Sequence, residues 1–164
     1  EAVVRRFDAA PDPGAAAPHL AEAIASAGTR RLLVLLGQRQ TPGSLVDERA
    51  IPPTRARLLA AAGAPFHRDL TAAGRALTKH VHRTTDRFWG EVEGADADKS
   101  AAADAIVRAI LDRATWWNVF EHYLHAVVFE ARERGGYGAR WGRGGDAFIG
   151  FLEPFTPGFP LVRD

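Results

Sequence analysis

Apolar residues recur at helical spacing in two long stretches, and both predict helices that bury one face. Over 71–88, Ala73, Leu77, Val81 and Phe88 point one way while Arg75, Lys79, His82, Arg83 and Asp86 point another, which makes the outer face strongly cationic. From about Asp98, a stripe of Ala103, Ile106, Val107, Ile110, Leu111, Ala114, Trp117 and Leu124 continues for about seven turns. That helix is expected to be the backbone of the core. Upstream, Leu20, Ile24 and Ala27 keep helical spacing up to a stop at Gly28, and 31–36 is a short apolar run that reads as a buried strand. Turn formers dominate 37–53, including Thr41-Pro42-Gly43-Ser44 and Pro52-Pro53, so a long surface loop is expected there. Thr54 can cap a short helix through Ala62, ending at Gly63 before Pro65.

Beyond the long helix the period changes to two. Segments 127–134, 137–143 and 147–153 are strand-like, and Gly135-Gly136 and Gly144-Gly145 suit two-residue hairpin turns. With both turns tight, Arg134 faces Tyr137 and Arg143 faces Asp146. One sheet face then carries Glu130, Arg132, Trp141 and Phe148, and the other Phe129, Arg140, Ile149, Phe151 and Glu153. Charges among such neighbours are tolerated only when paired, so Arg140 is expected to meet Glu133 or Glu153 unless a ligand faces it. The architecture predicted is α+β: an extended lead-in over 1–18, then a single domain over 19–164. In it the helical N-terminal two-thirds pack on a C-terminal three-stranded antiparallel meander.

Composition narrows the picture only at a few points. Hydrophobic residues make up 46% and charged residues 25% of 164, as in an ordinary globular domain, and no apolar run is long enough to span a bilayer. With no cysteine there is no disulfide or thiol nucleophile, and with no secretory signal visible a cytoplasmic location is expected. The net charge of +1 exerts little overall pull on polyanions, so any such binding must come from a local patch. Of 21 basic residues only Lys79 and Lys99 are lysines, an arginine bias that fits a GC-rich bacterial genome. Those two sites either persist by chance or call for a compact charge that arginine cannot supply.

The densest cationic cluster is Lys79-His80-Val81-His82-Arg83. Lys79 and Arg83, one helical turn apart, can hold a phosphate or carboxylate, although a solvated helix face reads equally well. His122 and His125 have the spacing of a helical metal pair, but no third ligand stands at a diagnostic distance, so no metal or cofactor is expected. The glycine clusters lie between strands with no G-K-[ST] after them, which argues against a nucleotide-binding loop. Glu130, Arg132, Arg140 and Glu153 form either a structural ion-pair network or a binding cluster.

Several of these segments also resemble a conserved protein family to which no activity is assigned. They are Ala76-Leu77-Thr78-Lys79-His80 with Arg83, Phe88-Trp89-Gly90, Lys99, Phe129-Glu130-Ala131-Arg132, Gly136-Tyr137-Gly138-Ala139-Arg140-Trp141 and Gly150-Phe151-Leu152-Glu153-Pro154. The resemblance covers about half of the chain. It implies that Lys79, Lys99, Glu130, Arg132, Arg140 and Glu153 share one site. The leading expectation is an enzyme or sensor for a small anionic ligand: Lys79, Arg83, Lys99, Arg132, Arg140 and Trp141 bind it, and Glu130, Glu153 or His80 moves protons. A nucleic-acid-binding domain comes second, because the near-neutral charge argues against it. A non-catalytic interaction module comes third, served by the apolar tail over 155–162. A membrane partner is not expected, and a homo-oligomer is left open.

Overall fold

The computed structural model describes residues 13–81, 88–90 and 92–154. Helices α1 (Pro13–Ala27), α2 (Thr29–Leu35), α3 (Arg55–Ala62), α4 (Ala72–Val81) and α5 (Asp96–Arg113) precede a sheet of β3 (Trp116–His122), β4 (Ala126–Arg132), β5 (Gly138–Gly142) and β6 (Phe148–Leu152). A two-stranded ribbon, β1 (Pro65–His67) with β2 (Leu70–Thr71), leads into α4. The expected α+β class and the order of helices before sheet are present, but the sheet has four antiparallel strands in chain order.

The extra strand comes from the end of the long helical stripe. Helix α5 stops at Arg113, and Trp116-Trp117-Asn118-Val119-Phe120 extends as β3. Aromatic and β-branched residues favour the pleated sheet, and the helical spacing of Trp117 and Leu124 was coincidental. Within α5 the stripe is real: Ala103, Val107 and Ile110 are buried against the sheet. Leu77 and Ala73 of α4 join them, while 82–87 of the expected 71–88 helix lies outside the described residues.

Two other expectations are corrected. The run over 31–36 is not a buried strand but the end of α2 and its cap, with only Leu33 buried and Leu35 79% exposed. Helix α1 already begins at Pro13, so the last part of the expected extended lead-in is helical. The loop over 37–47 is more than a surface connection, because it pairs with the edge of β3. Trp117 N–H donates to Gly37 O, Arg39 N–H to Trp117 O and Leu45 N–H to Val119 O. An otherwise open sheet edge is thereby covered. The cap at Thr54 forms as expected, its hydroxyl accepting from Arg57 N–H.

Hairpin chemistry set the register, by a different turn from the one expected. Glu133 pairs with Tyr137 around a three-residue loop in which Gly136 takes a φ of 88°. This is the loop that ends in a left-handed residue, and it shifts the register by one relative to a two-residue turn. A shift of one residue exchanges faces. Glu130 therefore opposes Arg140, and Phe129 opposes Trp141. Trp141 and Phe148 do pair, as the expected second hairpin requires, but a bulge follows and Arg140 opposes Gly150.

Candidate active site

The corrected register separates the sheet into an apolar and a polar face. Val119, Phe129, Ala131, Ala139, Trp141 and Phe151 pack in the core with α3, α4 and α5. Trp141 belongs there and not to a ligand site: its ring is fully buried and its Nε1–H donates to Leu58 O at 3.0 Å. The opposite face of β3, β4 and β5 carries His122, Asn118, Glu130, Arg132 and Arg140.

Glu130 is the centre of that face. Its Oε1 accepts from Arg140 Nε at 2.7 Å and again from Arg140 Nη2, and its Oε2 accepts from Arg132 Nε at 3.1 Å. Both carboxylate oxygens are thus engaged by side chains that are 3% and 15% exposed. Arg132 also donates through Nη1 to Gly136 O at 2.6 Å and Glu153 O at 2.8 Å, tying the first hairpin to the end of β6. Gly138 permits this, since a Cβ there would meet Arg132 Cγ at 2.6 Å. Burial holds the Arg132 guanidinium below its usual range, against the opposing pull of Glu130. The expected Arg140 pairing with Glu133 or Glu153 is replaced by Glu130, because the register places those two directly across from each other.

His122 closes the network. Its Nε2 lies 2.9 Å from Arg140 Nη1, and its Nδ1 accepts from Leu124 N–H at 3.1 Å. A neutral imidazole has only one acceptor nitrogen, so two donors compete for it and an added proton is disfavoured. Burial first, then Arg140 and His125, pull this imidazole below the ordinary value of 6.5, with Glu130 opposing. The folded chain therefore keeps the ring neutral at a pH where the unfolded chain has begun to protonate it. Stability from this source is present above about 6.5 and declines as the pH falls through that value toward the lowered folded one. His122→Asn should accordingly shrink the difference between urea midpoints measured at pH 7.5 and pH 5. The two histidines do not share a helix, since His122 ends β3 and His125 lies in the turn, their rings stacked at 5.0 Å. Among the described residues no cluster has the make-up of a metal site.

A second group lies at the β6 edge. There the last turn of α4 and strand β6 bound an open groove of about 330 Å³, lined by Arg75, Lys79, His80, Phe148, Ile149 and Gly150. His80 also meets Glu153 at the edge of β6, with Nδ1 3.1 Å from Oε1 and the side chains 23% and 42% exposed. A Cβ at Gly150 would stand 3.9 Å from His80 Nε2, and Gly150 is the cross-strand partner of Arg140. One bare strand position therefore separates the groove from the ion network.

The sequence-predicted site residues accordingly fall into three places. Glu130, Arg132 and Arg140 converge on the sheet face, while Lys79, His80 and Glu153 line or border the groove beside it. Lys99 is apart from both, in the first turn of α5, with Nζ donating to Asp96 Oδ1 at 3.3 Å. Arg83 lies outside the described residues. The sequence reading did not place His122 in this site, because Glu130 and His122 come together only through the pairing of β3 with β4.

No curated protein sequence matches the chain. A solved structure does: the toxic C-terminal tip of CdiA from Pseudomonas aeruginosa, in complex with immune protein, is 26% identical and aligns with a TM-score of 0.50 over 57% of this chain and 99% of that one. The family model of the CdiA C-terminal tRNase toxin domain matches residues 59–153, more than half of the chain and nearly all of both polar clusters. The motifs from Lys79-His80 to Glu153 thus fall in a family whose description names a toxin and its substrate, not in one without an assigned activity. Neither the expected small-anion enzyme or sensor nor the non-catalytic module fits that description. This chain belongs to the CdiA C-terminal tRNase toxin domain family.

Proposed function

We propose that this chain is a ribonuclease toxin that cuts tRNA, and that the groove between α4 and β6 is where the phosphodiester is held. RNA carries its own nucleophile, the 2′-hydroxyl beside the scissile phosphate. A protein that cuts it there needs a base for that hydroxyl, an acid for the departing 5′-oxygen, and cations for the charge that builds on phosphorus. The reading rests on the contact of His80, a lining residue of an open, cation-lined groove, with Glu153. Held at Nδ1 by the Glu153 carboxylate, His80 is the group placed beside the groove to transfer a proton. Lys79 precedes it on α4 and Arg75 stands one turn earlier, so both cations can meet a phosphodiester in the groove.

Glu130 has a different part in this reading. Its oxygens are both occupied by arginines, so it orients Arg140 and Arg132 and does not itself meet the substrate. Burial of Glu130 makes that orientation rigid. Because a tRNase must be restrained in the cell that makes it, the partner proposed is an immune protein, as in the similar solved complex. Cytoplasmic tRNA would be the target.

The experiment is direct. Purified chain incubated with a tRNA pool is expected to give discrete fragments, while a DNA hairpin of matching sequence stays whole. Intact tRNA at equimolar protein would overturn the proposal.

A further inference from the structure

We infer that the turn at the end of β3 forms a stacking platform for a nucleotide flanking the cut, with Tyr123 as its exposed ring. This rests on the ribonuclease reading above and names how the same site would hold its RNA. Residues of a strand alternate faces, so Trp116, Phe120 and His122 share the side of Asn118 and Glu130. Aromatic rings at every second or fourth position, interleaved with cations, suit unstacked bases. Cations are present: Arg39 lies 5.2 Å over the Trp116 ring, Arg132 5.7 Å over it, and Arg140 touches His122.

At the end of this row the chain turns back through Tyr123-Leu124-His125. The Tyr123 ring is 88% exposed, yet it is not loose: it stacks on His122 at 4.6 Å and 28°. His125 also stacks on His122, with ring centroids 5.0 Å apart, so three rings gather at one tip. The turn itself is held in an uncommon conformation, with Ala126 at a φ of 55°, where glycine is the usual occupant. Strain of this kind persists where surrounding structure fixes it, and here it presents a large aromatic to solvent beside a cationic face.

Distance gives the platform its role. Three inter-strand spacings of about 4.8 Å separate β3 from β6, so Tyr123 sits roughly 14 Å or more from the groove that holds His80. A base on Tyr123 is therefore not the one being cut. The ring should govern how tightly, and where, tRNA is held, and leave the proton transfers to His80 and Glu153.

The test uses binding, so that it does not depend on cleavage. The His80→Ala protein is titrated into fluorescently labelled tRNA, alone and with Tyr123→Ala or Tyr123→Phe added. Tyr123→Ala is expected to weaken binding about ten-fold, in the range measured for lost base stacking, while Tyr123→Phe stays within two-fold. Melting temperature should not move, because the ring is exposed. Equal binding by Tyr123→Ala overturns the platform, as does an equal loss in Tyr123→Phe, which would assign the effect to the hydroxyl. A Tyr123→Ala protein that keeps tRNA but no longer binds its immune protein also overturns it, giving the ring to a protein partner. Failure of the ribonuclease reading looks different: wild-type chain would leave tRNA uncut, or His80→Ala would cut it as fast.

Discussion

Glu130→Ala is expected to lower the free energy of unfolding by about 3–5 kcal/mol, the usual cost of removing one partner from a buried ion pair. Glu130 is 2% exposed and accepts from two guanidinium groups, so its loss leaves two largely buried cations facing each other. Each would then lack the acceptor that offsets its desolvation. Glu130→Gln should fall between, since the amide oxygen can still accept while the charge is gone. Urea denaturation followed by tryptophan fluorescence reads this directly. A loss below about 1 kcal/mol would mean the network is solvated, as exposed pairs are.

The second large effect concerns activity. His80→Ala should reduce tRNA cleavage by about 10²–10⁴-fold, the range that a positioned acid or base contributes. Its side chain is 23% exposed and lies at the rim of the core, so unfolding should be little affected. Glu153→Gln keeps a hydrogen-bonding oxygen at the same place and removes the charge that holds His80 in position. It should therefore lower the maximal rate while leaving KM nearly unchanged. Full cleavage activity in His80→Ala would displace the chemistry from the groove.

How much of this was legible in the sequence depended on the range of the interactions. Local signals held: Thr54 capped its helix, Ala103, Val107 and Ile110 faced inward, and the strand pattern after residue 126 was real. The end of α5 was missed because Ala114, Trp117 and Leu124 continue a helical spacing by chance while their side chains favour strand. Faces of the sheet were assigned wrongly for a more instructive reason. Gly135-Gly136 reads as a two-residue turn, but only Gly136 takes positive φ, and the resulting three-residue loop moves Arg140 across to Glu130. Lys79, His80, Glu130, Arg132, Arg140 and Glu153 stand out in the sequence as charged or polar residues among apolar neighbours, and the structure brings them into two groups. Their division into two adjacent groups was not legible, because it depends on the bulge beside Arg140 and on where α4 meets β6.

Net charge misdirected the functional reading. A balance of +1 argues against a polyanion partner only when charge is spread evenly. Here Arg75 and Lys79 gather at the groove, while acidic residues such as Asp104 and Asp112 sit on α5. A local cationic surface can therefore face RNA on a nearly neutral chain.

The central claim is that tRNA is cut through its own 2′-hydroxyl by groups of this chain. The most direct measurement is the end chemistry of the fragments that purified wild-type protein produces from tRNA. The account predicts one upstream fragment ending in a 2′,3′-cyclic phosphate and a downstream fragment starting with a 5′-hydroxyl, and no product from tRNA made 2′-deoxy at the cut. Fragments carrying a 3′-hydroxyl and a 5′-phosphate, or cleavage of the deoxy substrate, would contradict it.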